Sequence, residues 1–391
     1  MVSMTWQQVW ARRLARHFLL KRAPYEDLVH TVGAVCGIQA QVMPAAELSV
    51  GIRVDGVTRN DVQAALWERR ALVKTYGIRG TIHLFPSDEL PLWMAALRAR
   101  AALDVKKQLS LGLDAVQLST IVEAIRTALD SRQLTMQQLG EEVVRQVGSW
   151  AGETTGQAWG GGWPRWRMAL GEAALDGVLC YGPPQGTQVT FVRFDQWIGR
   201  GVDRQDPTPD EALAEVFRCY LRAYGPATPR DFAQWFNLPP RAARELATRL
   251  QDELQEVAVE SYRCYLLRDE AESVGVRADF AAELPPRLLP HFDCYVIGCH
   301  PRERLLPAIW SERVPPRTIP SQLPVLLVDG KVAGVWERET KGKRLEVRVE
   351  PFASLERRQR TLVEEEASRI GLFLGVEADL TIGPVSIRPH L

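Results

Sequence analysis

Two glutamines have a type and spacing that could hold a water molecule in place. Gln39 and Gln41 stand one residue apart, and Pro44 follows shortly after. A glutamine amide does not titrate, so it cannot be a general base, but its acceptor and two donors can fix a water. On an ideal helix, residues two apart point about 200° from each other. We therefore expect the helix to break near Pro44, because proline disfavours helical geometry at the preceding Met43. The alternative is a pair of surface or helix-capping residues.

A second group of polar side chains occupies the run VKTYGIRGTIHLF. Arg79-Gly80 is predicted to form the turn of a hairpin, and Thr81 and His83 would share one face of the strand that follows. Arginine, threonine and histidine together suit contacts to a phosphate or a sugar. The alternative is a packed hairpin in which His83 is satisfied internally.

A third group is the basic turn Thr340-Lys341-Gly342-Lys343-Arg344 between two predicted strands. Lys341, Lys343 and Arg344 around a glycine suit a flexible finger that probes a groove. The alternative is an ordinary solvated turn.

Familiar catalytic motifs are missing. The chain contains no G-x-S-x-G, Walker loop, H-E-x-x-H or zinc-finger spacing. The sequence therefore predicts a site that uses neither a metal nor a cofactor.

The elements that must position these residues follow a repeated order. Helices followed by a two-stranded hairpin occur three times over about 280 residues, and a β-rich stretch with one long helix ends the chain. We predict an α+β fold of three tandem winged helix-turn-helix units and a C-terminal β-rich segment. The predicted bounds are 1–110 with the two glutamines, 111–200, 201–290, and 291–391 with the basic hairpin.

Net charge is zero, from 48 basic and 48 acidic residues, but the zero is a cancellation. Residues 1–110 carry +6, residues 111–200 carry −2, residues 201–290 carry −5 and residues 291–391 carry +1. The third unit has the clearest helix-turn-helix, yet its acidity argues against its lying on phosphates. The basic first unit and the hairpin tip are better candidates for that contact.

The spacing of the cysteines and the lengths of the apolar runs indicate the cellular compartment. The six cysteines are scattered and form no C-x-x-C pair, and no apolar run approaches the roughly 18–20 residues of a membrane span. The N-terminus does not match a secretory signal. We expect a cytoplasmic protein with reduced, mostly buried thiols.

Three winged helices favour duplex nucleic acid as the partner, because such helices fit a major groove and wings touch the backbone. Two other classes stay open at this point. One is a non-catalytic, regulatory DNA-binding protein that uses its recognition helices. The other is a scaffold that binds only protein.

Four stretches resemble the AlkZ-like family of bacterial winged-helix DNA glycosylases. They cover nearly the whole chain in the family's order: GIQAQVMPAAELSVGIR, KTYGIRGTIHLF, LLPHFDCYVIG and VDGKVAGVWERE. The chain departs from the family at Cys294, where a proline is common, and at Tyr76, where a tryptophan is common. These departures bear on the substrate more than on the fold.

The resemblance implies a C-shaped monomer of tandem winged helices around a channel for damaged double-stranded DNA. It implies removal of bulky N7-alkylated purines, and in some members the unhooking of interstrand crosslinks, including self-resistance in antibiotic producers. The family's catalytic signature is Q-x-Q or Q-x-D, and Gln39 and Gln41 match the first. Arg79, Thr81, His83 and the three hairpin cations then become expected DNA contacts.

The implied chemistry agrees with a site that lacks a base. An N7-alkylguanine is already cationic and leaves without much help from a general acid. What remains is to hold a water near the anomeric carbon and to stabilise an oxocarbenium-like sugar by positioning and electrostatics. Neutral glutamines can do the first of these tasks.

Overall fold

The computed structural model describes residues 2–103, 112–155, 162–199, 207–271, 284–315, 318–342 and 344–386. The α-helices of these residues are α1 (Trp6–Arg16), α2 (Leu28–Ala34), α3 (Met43–Gly51), α4 (Arg59–Trp67), α5 (Leu90–Ala102), α6 (Ala115–Ala128), α7 (Met136–Val147), α8 (Arg165–Met168), α9 (Leu170–Leu175), α10 (Phe194–Ile198), α11 (Pro209–Tyr224), α12 (Pro229–Phe236), α13 (Pro240–Arg249), α14 (Cys294–Gly298), α15 (Arg302–Leu305), α16 (Trp310–Arg313) and α17 (Arg357–Leu374). The strands are β1 (Val2–Met4), β2 (Ile38–Gln39), β3 (Leu72–Tyr76), β4 (Ile82–Pro86), β5 (Leu134–Thr135), β6 (Thr154–Thr155), β7 (Trp163–Pro164), β8 (Cys180–Gln185), β9 (Gln188–Val192), β10 (Leu254–Val259), β11 (Tyr262–Leu267), β12 (Arg287–Leu289), β13 (Val325–Val328), β14 (Lys331–Lys341), β15 (Arg344–Pro351) and β16 (Glu377–Ile382).

Two compact units divide the chain. The first unit comprises Met1–Gln63, Phe217–Phe236 and Pro240–Leu391, and the second comprises Ala64–Val216 and Asn237–Pro239. The four-part division drawn from the sequence has other boundaries, since this grouping divides residues 1–110 after Gln63, and it stays a prediction.

A five-stranded sheet organises the C-terminal part of the first unit. Its order is β12-β13-β14-β15-β16, and β16 joins β15 in parallel while the other pairs are antiparallel. Helix α17 packs on this sheet through a buried stripe at helical spacing that includes Val363, Ala367 and Ile370. The predicted strands and long helix of this segment are confirmed.

The acidic helix-turn-helix also lies in the first unit. Thr228 caps α12, with its hydroxyl accepting from the Asp231 amide, and Pro229 occupies the first helical position. Its hairpin, β10–β11, gains a third strand because β1 pairs in parallel with β10, with Val2 opposite Val257. This strand could not be predicted, since three residues are too few for a periodic pattern.

The second unit has its own core. Asp114 and Thr135 begin α6 and α7 with capping boxes, and the buried faces of these helices share a hydrophobic cluster with Trp166 and Phe191. Strands β5, β9 and β8 form one antiparallel sheet, and β3–β4 forms the hairpin predicted around Arg79-Gly80.

The mixed α+β class predicted from the sequence is confirmed by these elements. Five of the six cysteines are buried and all six are free thiols, as expected. Among the described residues, every helix is too short or too polar to cross a membrane.

Candidate active site

The two glutamines lie on a short irregular segment between helices. Helix α2 ends at Ala34, and Cys36 and Gly37 then adopt positive φ angles of 65° and 83°. The expectation that this helix continues to a break near Pro44 is therefore wrong. Pro44 instead lies in the first turn of α3, where a missing amide hydrogen costs nothing.

This segment removes the helical geometry that would set the glutamines apart. Gln39 ends the two-residue strand β2, and Gln41 lies in the bend before α3. Gln39 is 6% exposed, Ala40 is fully buried and Gln41 is exposed. In the described part of the chain, the Gln39 side chain forms no hydrogen bond. A buried amide of this kind keeps its donors and acceptor for a water or a substrate.

A buried ion pair anchors the helix that follows the glutamines. Arg53, just after α3, makes a bidentate contact with Asp293 at 2.7 and 2.8 Å, and both side chains are fully buried. The Ser49 hydroxyl donates to the same carboxylate at 2.7 Å. Asp293 also accepts from the Tyr295 amide at the start of α14. The carboxylate thus fixes α3 against α14.

The anchor extends to the turn before β14. The Tyr295 hydroxyl donates to the Gly330 carbonyl at 2.8 Å. Three of the four stretches that carry the family resemblance therefore meet through Arg53, Asp293, Tyr295 and Gly330. Sequence reasoning missed this role, because no local pattern pairs charges that are 240 residues apart.

The hairpin β3–β4 buries His83 instead of exposing it. Its ring is 4% exposed and stacks on Phe85 at 5.6 Å. A Cβ atom on Gly77 would come within 2.9 Å of its Nδ1, so glycine is required for the ring to lie there. Thr75 lies directly opposite on the same face, and among the described residues its buried hydroxyl has no partner. His83 thus matches the packed-hairpin alternative.

Burial sets the protonation state of this histidine. Desolvation lowers the pKa of His83 to about 3, and the charge of Arg79 adds to that effect, while the Thr81 carbonyl opposes it. Nδ1 lies 3.0 Å from that carbonyl and so carries the proton. The ring is therefore neutral near pH 7, with Nε2 as an acceptor.

Arg79 and Thr81 lie at the turn of the same hairpin and are partly exposed. Arg79 has φ 59°, and the Thr81 hydroxyl donates to the Ile78 carbonyl at 3.0 Å. Thr81 directly precedes β4, and its backbone is extended, with φ −94° and ψ 163°. Its common face with His83 stays a prediction.

The basic hairpin tip is partly neutralised by neighbouring carboxylates. Lys341 contacts Glu346 at 2.8 Å, and Arg344 contacts Asp379 at 3.1 Å. The hydrogen bond that Lys341 donates to Glu346 raises the pKa of Lys341. Lys343 lies outside the described residues. Both described cations are more than half exposed, and exposed ion pairs of this kind are weak enough for a phosphate to replace the carboxylate.

Within the described ranges, no group of three or more His, Cys, Asp or Glu side chains is arranged to hold an ion.

Comparison with known proteins gives one consistent result. Residues 32–373 match the family model described as DNA glycosylase AlkZ-like. The chain is 32% identical over 379 residues to an interstrand DNA cross-link repair glycosylase of Streptomyces sahachiroi, covering 96% of this chain and 98% of that protein. The solved structure of Streptomyces sahachiroi DNA glycosylase AlkZ is similar with a TM-score of 0.81 and 31% identity, over 98% of this chain and all of that one.

These similarities, together with the mixed helical and small-sheet fold, define a DNA glycosylase. The chain belongs to the AlkZ-like DNA glycosylase family, as the four motifs predicted.

Proposed function

We propose that this enzyme hydrolyses the N-glycosidic bond of N7-alkylated purines in duplex DNA, including bulky adducts and interstrand crosslinks. The name of the Streptomyces sahachiroi relative supports crosslinks as substrates. The observation that carries the proposal is the Q-x-Q segment, in which a buried, neutral amide stands beside an exposed one.

In this proposal Gln39 and Gln41 position the attacking water. A water can reach the anomeric carbon in the right orientation only if it is held, and positioning of this kind supplies a large part of a rate enhancement. The water loses its proton to solvent after attack, since neither amide accepts a proton at neutral pH. The cationic purine departs with the bonding electrons, which neutralise its ring.

The proposed DNA contacts lie on two hairpins. Arg79 and Thr81 at the β3–β4 turn, and Lys341, Lys343 and Arg344 at the β14–β15 turn, are the proposed contacts. His83 would act indirectly, by holding the Thr81 carbonyl from inside its hairpin. We further propose that the three sets of helices and hairpins are winged helices and that the enzyme acts on damaged DNA as a monomer, without a cofactor.

The test is base release from three duplexes, which carry N7-methylguanine, a bulky N7-alkylguanine or an N7–N7 crosslink. We expect release of the alkylated base and an abasic product from at least the bulky substrate. Release limited to bulky and crosslinked substrates would assign the enzyme to self-resistance against an alkylating antibiotic, whereas release from all three would assign it to general repair. Binding without release from any of them would overturn the proposal and favour the non-catalytic DNA-binding alternative.

A further inference from the structure

A cavity of about 330 Å³ opens beside the catalytic segment in the first unit. Val42 and Pro44, which directly follow Gln41, form part of its wall together with Leu48 of α3. Trp336 and Arg338 of β14 form another part. An occupant of this cavity would therefore lie no farther from the proposed water-positioning glutamines than the length of a few residues of chain.

The carboxylate whose charge acts on Arg338 already accepts hydrogen bonds from other residues. Glu47 of α3 is 2% exposed, and its Oε2 accepts from Arg59 at 2.7 Å while its Oε1 accepts from Gln63 at 3.0 Å. The Glu47 carboxylate thus acts electrostatically on two guanidinium groups, but it is hydrogen-bonded to that of Arg59. The group of Arg59, Arg338 and Glu47 carries one net positive charge.

Arg338 is left as a cation without its anion. Among the described residues, its buried Nη1 has no hydrogen-bond partner. Desolvation lowers the pKa of Arg338, and the charge of Arg59 adds to the effect, with Glu47 opposing it. A buried donor on a charged group is costly to leave unsatisfied, so this position favours an incoming acceptor of negative charge.

The other polar groups of the cavity do not supply that acceptor. Glu337 also lines the cavity, but its Oε2 accepts from the Ser386 amide at 3.2 Å, and the carboxylate whose charge acts on Arg338 is that of Glu47. The His291 Nδ1 lies 2.7 Å from the Gln322 carbonyl, so its proton is engaged there. The hairpin tip differs, since its described cations already have carboxylate partners.

We propose that this cavity is a phosphate subsite, in which Arg338 binds one phosphodiester of the DNA strand beside the lesion. Arg59 and Gln63 support it by keeping the Glu47 carboxylate away from Arg338. Apolar walls strengthen the contact, because charges attract more strongly where water is excluded. The proposal rests on the proposed function only in taking DNA as the ligand.

The test measures equilibrium binding to a duplex that carries a tetrahydrofuran abasic-site analogue, as a function of salt. For R338Q we expect the slope of log affinity against log salt to fall by about 0.9, the amount for one lost phosphate contact. R338K should keep the wild-type slope. R241Q is the matched control, because Arg241 is 85% exposed and paired with Glu245 on the acidic helix-turn-helix. It should also keep the slope.

A second arm replaces single phosphates near the analogue by neutral methylphosphonates. One position should reproduce the R338Q loss in the wild-type enzyme and add nothing to it in R338Q. The subsite would be overturned if R338Q left the slope unchanged or if R241Q changed it equally. It would also be overturned if every methylphosphonate position gave a loss that added to that of R338Q. If R338Q does not fold, a wild-type scan with no sensitive position would overturn it as well. Base release is a separate readout, so loss of release with an intact slope effect would remove the proposed function and keep the subsite.

Discussion

Gln39 and Gln41 share a motif but not an environment. The first is buried and the second exposed, so they cannot contribute in the same way. The buried amide is held by its surroundings and suits a fixed orientation of the water. The exposed amide suits contact with a substrate that arrives from solvent. Residue type and spacing could identify the pair, but not this difference in burial, which depends on β2 and the bend after it.

The neutral state of the buried His83 predicts how the stability of the enzyme depends on pH. Because burial holds its pKa at about 3, against about 6.5 when unfolded, the unfolded chain binds more protons below pH 6.5. Stability should therefore fall as pH decreases from 6.5 towards 3. For His83→Asn, which keeps a donor for the Thr81 carbonyl, this part of the loss should disappear.

The measurement is the free energy of unfolding in denaturant at pH 7 and at pH 5. We expect the wild-type loss between these values to exceed that of His83→Asn by about 2 kcal/mol. His17 is also buried with a lowered pKa but is common to both proteins, so it cancels in the comparison. Equal losses in the two proteins would show that His83 is protonated in the folded enzyme.

At the scale of elements, the central relation is between α3 and the Arg53–Asp293 pair. The segment with the glutamines contains only the two-residue strand β2 as regular structure, and the helix that directly follows it helps to hold it. That helix is tied to α14 by a fully buried ion pair and a serine hydroxyl. The departure Cys294, next to Asp293, leaves this contact intact.

Asp293→Asn should destabilise the enzyme by about 3–5 kcal/mol, because it leaves the Arg53 charge buried without compensation. Denaturant unfolding measures this loss. The matched control is the double variant Arg53→Met, Asp293→Leu, which removes both charges and should lose less. If the double variant were the less stable of the two, the pair itself, and not the uncompensated charge, would be the main contribution.

Elements with strong local signals could be predicted, and those that depend on distant partners could not. The caps at Thr5 and Thr228, the turn at Arg79-Gly80 and the strands of the C-terminal sheet follow from the sequence. The end of helix α1 at Arg16, two residues before Phe18 with its positive φ of 55°, has no such local signal. The burial of His83 depends on a tertiary contact with Gly77 that no periodicity encodes.

In the molecule as a whole, charges are balanced between neighbouring side chains and not only between the segments of the sequence. The tip of the β14–β15 hairpin was predicted as the basic contact, yet Glu346 and Asp379 offset its described cations. Among the described residues, a buried cationic nitrogen without a hydrogen-bond partner is found instead at Arg338, about midway along the paired part of the same hairpin. A net charge of zero then predicts modest affinity for undamaged DNA, with attraction limited to a few sites.

Single-turnover base release from a duplex with a bulky N7-alkylguanine tests whether the Q-x-Q segment performs the hydrolysis. The Gln39→Ala, Gln41→Ala double variant should release base at least about 100-fold more slowly, the loss typical of removing preorganised polar groups from a site. Gln137→Ala, at an exposed glutamine of α7, should release it at the wild-type rate. Wild-type release by the double variant would contradict the assignment of the site.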